Sequence, residues 1–219
     1  MSRHWPMTAL RLRTPMLELR FPSQADLDDL VDVALDGVHD PDVMPFTVAW
    51  TDARRSELPF NTLQYHWGLW AAWTPERWRL NMVTVRDGEV VGTQELAADD
   101  FAVKRETGSG SWIGRRYQGQ GIGTEMRAAI LHLSFAGLGA RCAISGAYHD
   151  NAASLAVSRK LGYSADGIRL ENRRGEPATQ VRLRLPRADW RRRDDITIEG
   201  LAPCLPYFGV AEPMRAGRG

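Results

Sequence analysis

A chain of 219 residues, 43% hydrophobic and 25% charged, is long enough to bury a core of its own and suits one domain, at most two. Its 28 basic and 27 acidic residues leave a formal charge of +1, so no broad field steers it toward nucleic acid or an anionic membrane. Cys142 and Cys204 make no disulfide framework, residues 1–10 lack the apolar stretch of a secretory leader, and no apolar run approaches the ~20 residues of a bilayer span. The expectation is a cytoplasmic protein without a metal, nucleic-acid or membrane partner.

Residues 1–14 read as an irregular arm, with Trp5-Pro6 docking on the body. Residues 16–21 alternate apolar and polar, as a half-buried strand does. Ser23 is placed to cap a helix whose Leu27, Leu30, Val31, Ala34 and Leu35 share a face, and His39-Asp40-Pro41-Asp42 ends it. After an apolar-rich loop over 44–50, a second helix is expected over 56–73, with Pro59 in its first turn and Leu63, Trp67, Trp70 and Ala71 as a buried stripe. Trp50, Trp67, Trp70, Trp73 and Trp78 gather here, and large aromatics of this kind either fill a core or wall a cleft.

Residues 79–86 and 89–97 read as strands joined at Asp87-Gly88, a strong hairpin signal. A polar connection over 98–108 leads to a short strand at 111–114, a glycine-rich turn, and a helix carrying Met126, Ile130, Leu131, Leu133 and Leu138 on its apolar face. Residues 140–148 are a strand and 151–161 a short helix ended by Gly162. Strands over 163–170 and 178–185 flank the Arg173-Arg174-Gly175 turn, and 186–193 makes one helical turn or two. The remainder holds one strand's worth of alternation at Ile196-Thr197-Ile198 before a Pro- and Gly-rich end. No repeat or linker divides the chain, so the expected layout is an arm (1–14), one mixed α/β domain (15–193) and a tail (194–219).

The stretch with chemical content is Gln118-Gly119-Gln120-Gly121-Ile122-Gly123-Thr124. A glycine-rich turn between a strand and a helix brings several backbone N–H groups to a helix N-terminus, where they hold an anion, and side chains there would keep the backbone away from phosphate oxygens. A P-loop would require Lys-Ser/Thr after the last glycine, where Thr124-Glu125 stands, and a dinucleotide fingerprint spaces its glycines differently. Gln118, Gly121 and Gly123 fit the coenzyme A pyrophosphate loop of the GNAT acyltransferases, Arg/Gln-x-x-Gly-x-Gly/Ala. Together with Trp112-Ile113, Tyr117-Gln118-Gly119, Asp150-Asn151-Ala152-Ala153-Ser154 and Lys160-Leu161-Gly162-Tyr163, the chain resembles the RimJ/RimL-like branch of that superfamily, loosely from Leu17 to Trp190.

The resemblance implies a mostly antiparallel twisted sheet flanked by helices, and an N-acyltransferase taking an acetyl or succinyl group from acetyl-CoA or succinyl-CoA. His39-Asp40-Pro41-Asp42 and Met44-Pro45-Phe46 look like a subgroup with succinyl-CoA donors. The acceptor would be a primary amine, on a protein N-terminus, a lysine or a small molecule, attacked directly in a ternary complex; a homodimer is compatible with this. The loop Gln118 to Thr124 would hold the pyrophosphate, the strand edge at Trp112, Ile113 and Gly114 the pantetheine amides, and Asn151 a further part of the coenzyme, besides capping its helix. Ser154 would face the departing sulfur, its alternative being an exposed first-turn serine; the tyrosine many relatives carry further along that helix is absent at about Ser158. Glu171 or Glu95 would be the base, whereas Glu125, in a helix's first turn, reads as structural. The rival from another class is a CoA-binding sensor or assembly module without catalysis.

Overall fold

The computed structural model describes residues 4–210; expectations about residues 1–3 and 211–219 lie outside it. Nine strands form one sheet: β1 (Arg11–Arg13), β2 (Glu18–Arg20), β3 (Arg77–Arg86), β4 (Glu89–Asp99), β5 (Glu106–Ile113), β6 (Cys142–Tyr148), β7 (Ser164–Arg173), β8 (Glu176–Pro186) and β9 (Thr197–Glu199). Their order is β7-β8-β6-β5-β4-β3-β2-β1-β9, and every neighbouring pair is antiparallel except β5 with β6. The mostly antiparallel mixed sheet flanked by helices is thus the architecture found. Helices α1 (Gln24–Asp36) and α2 (Leu58–Ala71) lie on one face; α4 (Ile122–His132) lies on the other with α5 (Ala152–Lys160), and the short α3 (Phe101–Lys104) joins β4 to β5.

Local chemistry explains most element ends. Ser23 Oγ accepts from the Asp26 amide at 3.1 Å while Asp26 accepts from the Ser23 amide at 2.9 Å, a reciprocal cap that starts α1. Asp87 and Gly88 both sit at positive φ, 51° and 87°, as a tight two-residue hairpin between β3 and β4 requires. Strand β3 is buried on both faces: Leu80 and Met82 join the cluster around Met126 and Ile130, while Val83 and Val85 join Leu27 and Leu30.

The pairing of β5 with β6 positions the site. It covers Glu106↔Cys142 to Gly108↔Ile144 and then stops. Beyond that point β5 continues against β4 and β6 against β8. The two strands therefore part like the arms of a V, and the inner edge of each is free of ladder partners.

Three expectations are corrected. Within the expected arm 1–14, the described residues 4–14 are not irregular: 11–13 form β1, paired with β2 and β9, and Met7, Leu10 and Leu12 are fully buried. Trp5 docks as expected, edge-on to Phe21, Trp73 and Tyr207. The tail likewise enters the core, for Cys204 and Phe208 are fully buried and Trp78 Nε1 donates to the Phe208 carbonyl at 3.2 Å. Finally, of the stripe expected on α2, Leu63 and Trp70 pack on the core but Trp67 is exposed, and the buried residues are the polar Thr62 and His66, because α2 also borders a polar cleft. Strands of three residues are too short to show a period, which is why β1 was not expected.

Candidate active site

A cleft of about 1790 Å³ runs through the opening of the V, larger than the ~300–1,000 Å³ of a drug-sized pocket and long enough for an extended ligand plus a second reactant. At one end lies the turn that precedes α4. Gly119 and Gly121 have φ of 75° and 81°, and the N–H groups of residues 119–123 find no acceptor among the described residues, whereas those of Thr124 and Glu125 both reach the Gly121 carbonyl. Five amides left open at a helix start make an anion cradle.

The two glutamines do a different job from the one expected of them. Gln118 Nε2 donates to the Val38 and Ile113 carbonyls at 2.7 and 3.0 Å, and Gln120 accepts from Arg86 Nη1 at 2.6 Å while donating to the Arg116 carbonyl. Their side chains brace the turn and leave its backbone to meet a ligand. Ile122 is in the core, and Gly114 bonds to the Val91 carbonyl with no room for a Cβ beside Val33, so neither presents a side to the cleft. Trp112, Ile113, Gly119, Gly121, Gly123 and Thr124 do line it. Trp112 packs at a tilt against Trp50, ring centroids 5.4 Å apart, while Trp73 and Trp78 pack in the core, so the tryptophans divide between wall and core.

Farther along, Asn151 caps α5 by accepting from the Ser154 amide at 3.1 Å, and both residues line the cleft. The Ser154 carbonyl accepts from the buried Ser158 hydroxyl at 3.0 Å. Ser154 Oγ makes no hydrogen bond within the described protein and is half-buried, a placement that suits a donor to a ligand.

Of the two candidate bases, the geometry favours Glu95. It stands on β4 opposite Gly110 of β5, where a Cβ on Gly110 would lie 3.7 Å from Glu95 Oε1. Tyr65 of α2 donates to Glu95 Oε2 at 3.2 Å, and Arg79 is 3.8 Å from Oε1. Burial holds the Glu95 carboxyl above its ordinary pKa, with Arg79 and Tyr65 opposing. Beside them the buried His66 is pushed down to about 4 and stays neutral. Glu171, by contrast, is ion-paired with Arg169 and does not line the cleft. It lies on β7, one strand beyond β8, which the linear distance from the Arg173-Arg174 turn did not reveal. Glu125 is held by Arg193 at 2.5 and 3.0 Å, a structural pairing.

Two features went unread in the sequence. Arg174, at the tip of the β7–β8 hairpin, makes a forked bond to Asp52 at 2.6 and 2.8 Å and so ties that hairpin to the segment before α2. Arg127 of α4 lines the cleft yet is only 6% exposed, bonding Ser158 Oγ at 2.9 Å and Ser111 Oγ at 3.4 Å. Its position four residues after Gly123 and four before Leu131, on a helix otherwise apolar there, was the available signal.

Residues 16–164 match the family described as acetyltransferase (GNAT) domain. The chain superposes on a GCN5-related N-acetyltransferase from Brucella melitensis with a TM-score of 0.66 and 17% identity, over 86% of each chain. A RimL ribosomal L7/L12 alpha-N-protein acetyltransferase in complex with coenzyme A gives 0.59 and 16%, over 79% of this chain and 95% of that one. A spermidine N-acetyltransferase chimera from Vibrio cholerae and hSSAT gives 0.60 and 16%, over 79% of this chain and 96% of that one. At such identities the likeness to these structures is one of fold.

Proposed function

The chain belongs to the acetyltransferase (GNAT) family, and on that footing we propose that it moves a short acyl group from acyl-CoA to a primary amine by direct attack in a ternary complex. The observation that carries the reading is a continuity: the open amides of 119–123 lead along the unpaired edge of β5 to a half-buried carboxylate, Glu95. In this reading the amides hold the pyrophosphate and the β5 edge pairs with the pantetheine amides as an added strand would. The amine nitrogen attacks the thioester carbonyl carbon. As the C–N bond forms, the amine's surplus proton passes to Glu95; the C–S bond then breaks and its electron pair leaves on sulfur. A base with a raised pKa suits an acceptor that arrives protonated, more so a lysine, near 10.4, than an α-amino group, near 7.7–8.0.

Acetyl-CoA is the family's donor, and succinyl-CoA is the finer proposal. Asn61 and His66 line the cleft and offer donors to a terminal carboxylate, whereas the one hydroxyl proton of Tyr65 goes to Glu95. Arg54 and Arg55 do not contribute, being bonded to Glu57 and to the Leu35 carbonyl, and both ring nitrogens of His39 are engaged by Asp40 and Thr51. Thiol release from acetyl-CoA and succinyl-CoA with a panel of amines is the test. Release with at least one amine is expected; a protein whose melting temperature rises with CoA but which releases no thiol is a binding module. A succinyl-to-acetyl kcat/KM ratio far below one removes the succinyl donor and leaves the rest.

Ser154→Ala is expected to lower kcat by up to about 10²–10³ with little change in acyl-CoA affinity, because the hydroxyl meets charge that develops only during reaction. Unchanged turnover under conditions where chemistry limits the rate would make Ser154 an ordinary first-turn serine.

A further inference from the structure

Five arginines line the cleft, and four of them have a carboxylate: Arg79 has Glu95, Arg169 has Glu171, Arg182 has Asp166, and Arg184 has Glu106 and Asp166. Arg127, the most buried of the five, has none among the described residues; two serine hydroxyls receive its Nη atoms, and its buried Nε has no partner. A buried guanidinium without a counter-charge is costly, and such a group is retained where an anion comes to it.

Its place in the strand geometry says which anion. Successive side chains of a strand point to opposite faces. Gly110 faces Glu95 on the α2 side, so Ser111, the next residue, faces α4 and meets Arg127. The same guanidinium bonds Ser158, whose hydroxyl donates to the carbonyl of Ser154. Base and cation thus stand at one height of β5, on its two faces. Aminolysis of a thioester builds positive charge on nitrogen and leaves negative charge on sulfur, and a fixed carboxylate on one side with a fixed cation on the other matches that separation.

We propose that Arg127 supplies the positive charge that stabilises the CoA thiolate as the C–S bond breaks, acting across the hydroxyls of Ser111 and Ser158. The role rests on the acyltransferase reading above. The sulfur departs with the bonding pair, its charge is held in the cleft, and it takes up a proton from solvent as CoA leaves. Burial away from any carboxylate pulls the Arg127 pKa below the arginine norm, with the Tyr163 hydroxyl opposing.

The test titrates the thiol of bound CoA by the ultraviolet absorbance of its thiolate, in the full-length wild type and in Arg127→Met and Arg127→Lys, with desulfo-CoA as the sulfur-free control. In the wild-type complex the thiol should ionise at least one pH unit below free CoA. In Arg127→Met it should return to the free value or rise above it, with Arg127→Lys between. Desulfo-CoA affinity should stay within about threefold throughout, while kcat in Arg127→Met falls about 10²-fold. A bound thiol titrating like free CoA in the wild type overturns the role whether or not either variant folds. So does an equal shift in wild type and Arg127→Met, which would make the arginine a packing element. Failure of the wild type to bind CoA at all would instead overturn the acyltransferase reading. A methionine variant that loses only succinyl-CoA turnover, with an unmoved thiol, would reassign the cation to an acyl carboxylate.

Discussion

Glu95→Gln is expected to lower kcat by about 10²–10⁴ and, at neutral pH, to raise the melting temperature. The first effect follows from removing the proton acceptor that faces Gly110 at the point where β5 leaves its partner. The second follows from linkage. A carboxyl whose folded pKa is raised contributes stability that is fully present below its unfolded pKa and is lost as pH rises through the folded one. At neutral pH the ionised Glu95 therefore weighs against the fold, with Arg79 and Tyr65 offsetting part of it, and glutamine removes that charge. The kcat/KM profile of the wild type should fall on its acid side as Glu95 takes a proton, and that limb should vanish in the variant. Wild-type kcat in Glu95→Gln, with an isotope effect or single-turnover rate showing that chemistry limits, would take the base assignment away. Glu171→Gln is the companion measurement, expected to leave kcat within about threefold because a surface ion pair of this kind contributes little.

The second large effect is expected from Gly121→Val, which should weaken CoA binding at least hundredfold. A Cβ at Gly121 would meet no protein atom within 4 Å, so any blockage is of the ligand and not of the fold. The backbone does resist: φ is 81°, a left-handed value that costs an L-residue about 1–2 kcal/mol, and more when β-branched. In a chain of this size that corresponds to a fall in melting temperature of about 2–8 °C. Gly121→Asn separates the two causes, since asparagine tolerates the left-handed region. It should hold the melting temperature near wild type and still bind CoA poorly. Calorimetry showing full CoA affinity in folded Gly121→Val or Gly121→Asn would end the case for the amides of 119–123 as the pyrophosphate site.

The parts of the molecule legible from sequence are those in which cause and effect lie within a few residues. Ser23 and Asp26 cap each other, Asp87-Gly88 turns a hairpin, and Asn151 caps a nine-residue helix, all through contacts three residues apart or fewer. The glycine turn belongs to the same class, because open amides at a helix start need nothing from elsewhere in the chain. Gln118 and Gln120 mark the limit of that reading. The motif places them correctly in the turn, but their partners are Val38 and Arg86, remote in sequence, so their bracing role could not be seen locally.

By itself the sequence determined most of the element order, the mixed α/β class and the glycine turn at the start of α4, because periodicity, caps and turn chemistry act over short range. Tertiary structure alone decided the rest. It drew residues 11–13, and the short alternation already visible at 196–198, into the sheet as β1 and β9, since strands so short are held by the neighbours that pair with them. It set Glu95 on β4 beside the opening of the V and Glu171 on the outermost strand, which is why Glu95 is the proposed base. It also turned Arg127, one arginine among many in the sequence, into a buried charge beside two serines from β5 and α5, because the cost of burying a cation depends on what the fold brings to it.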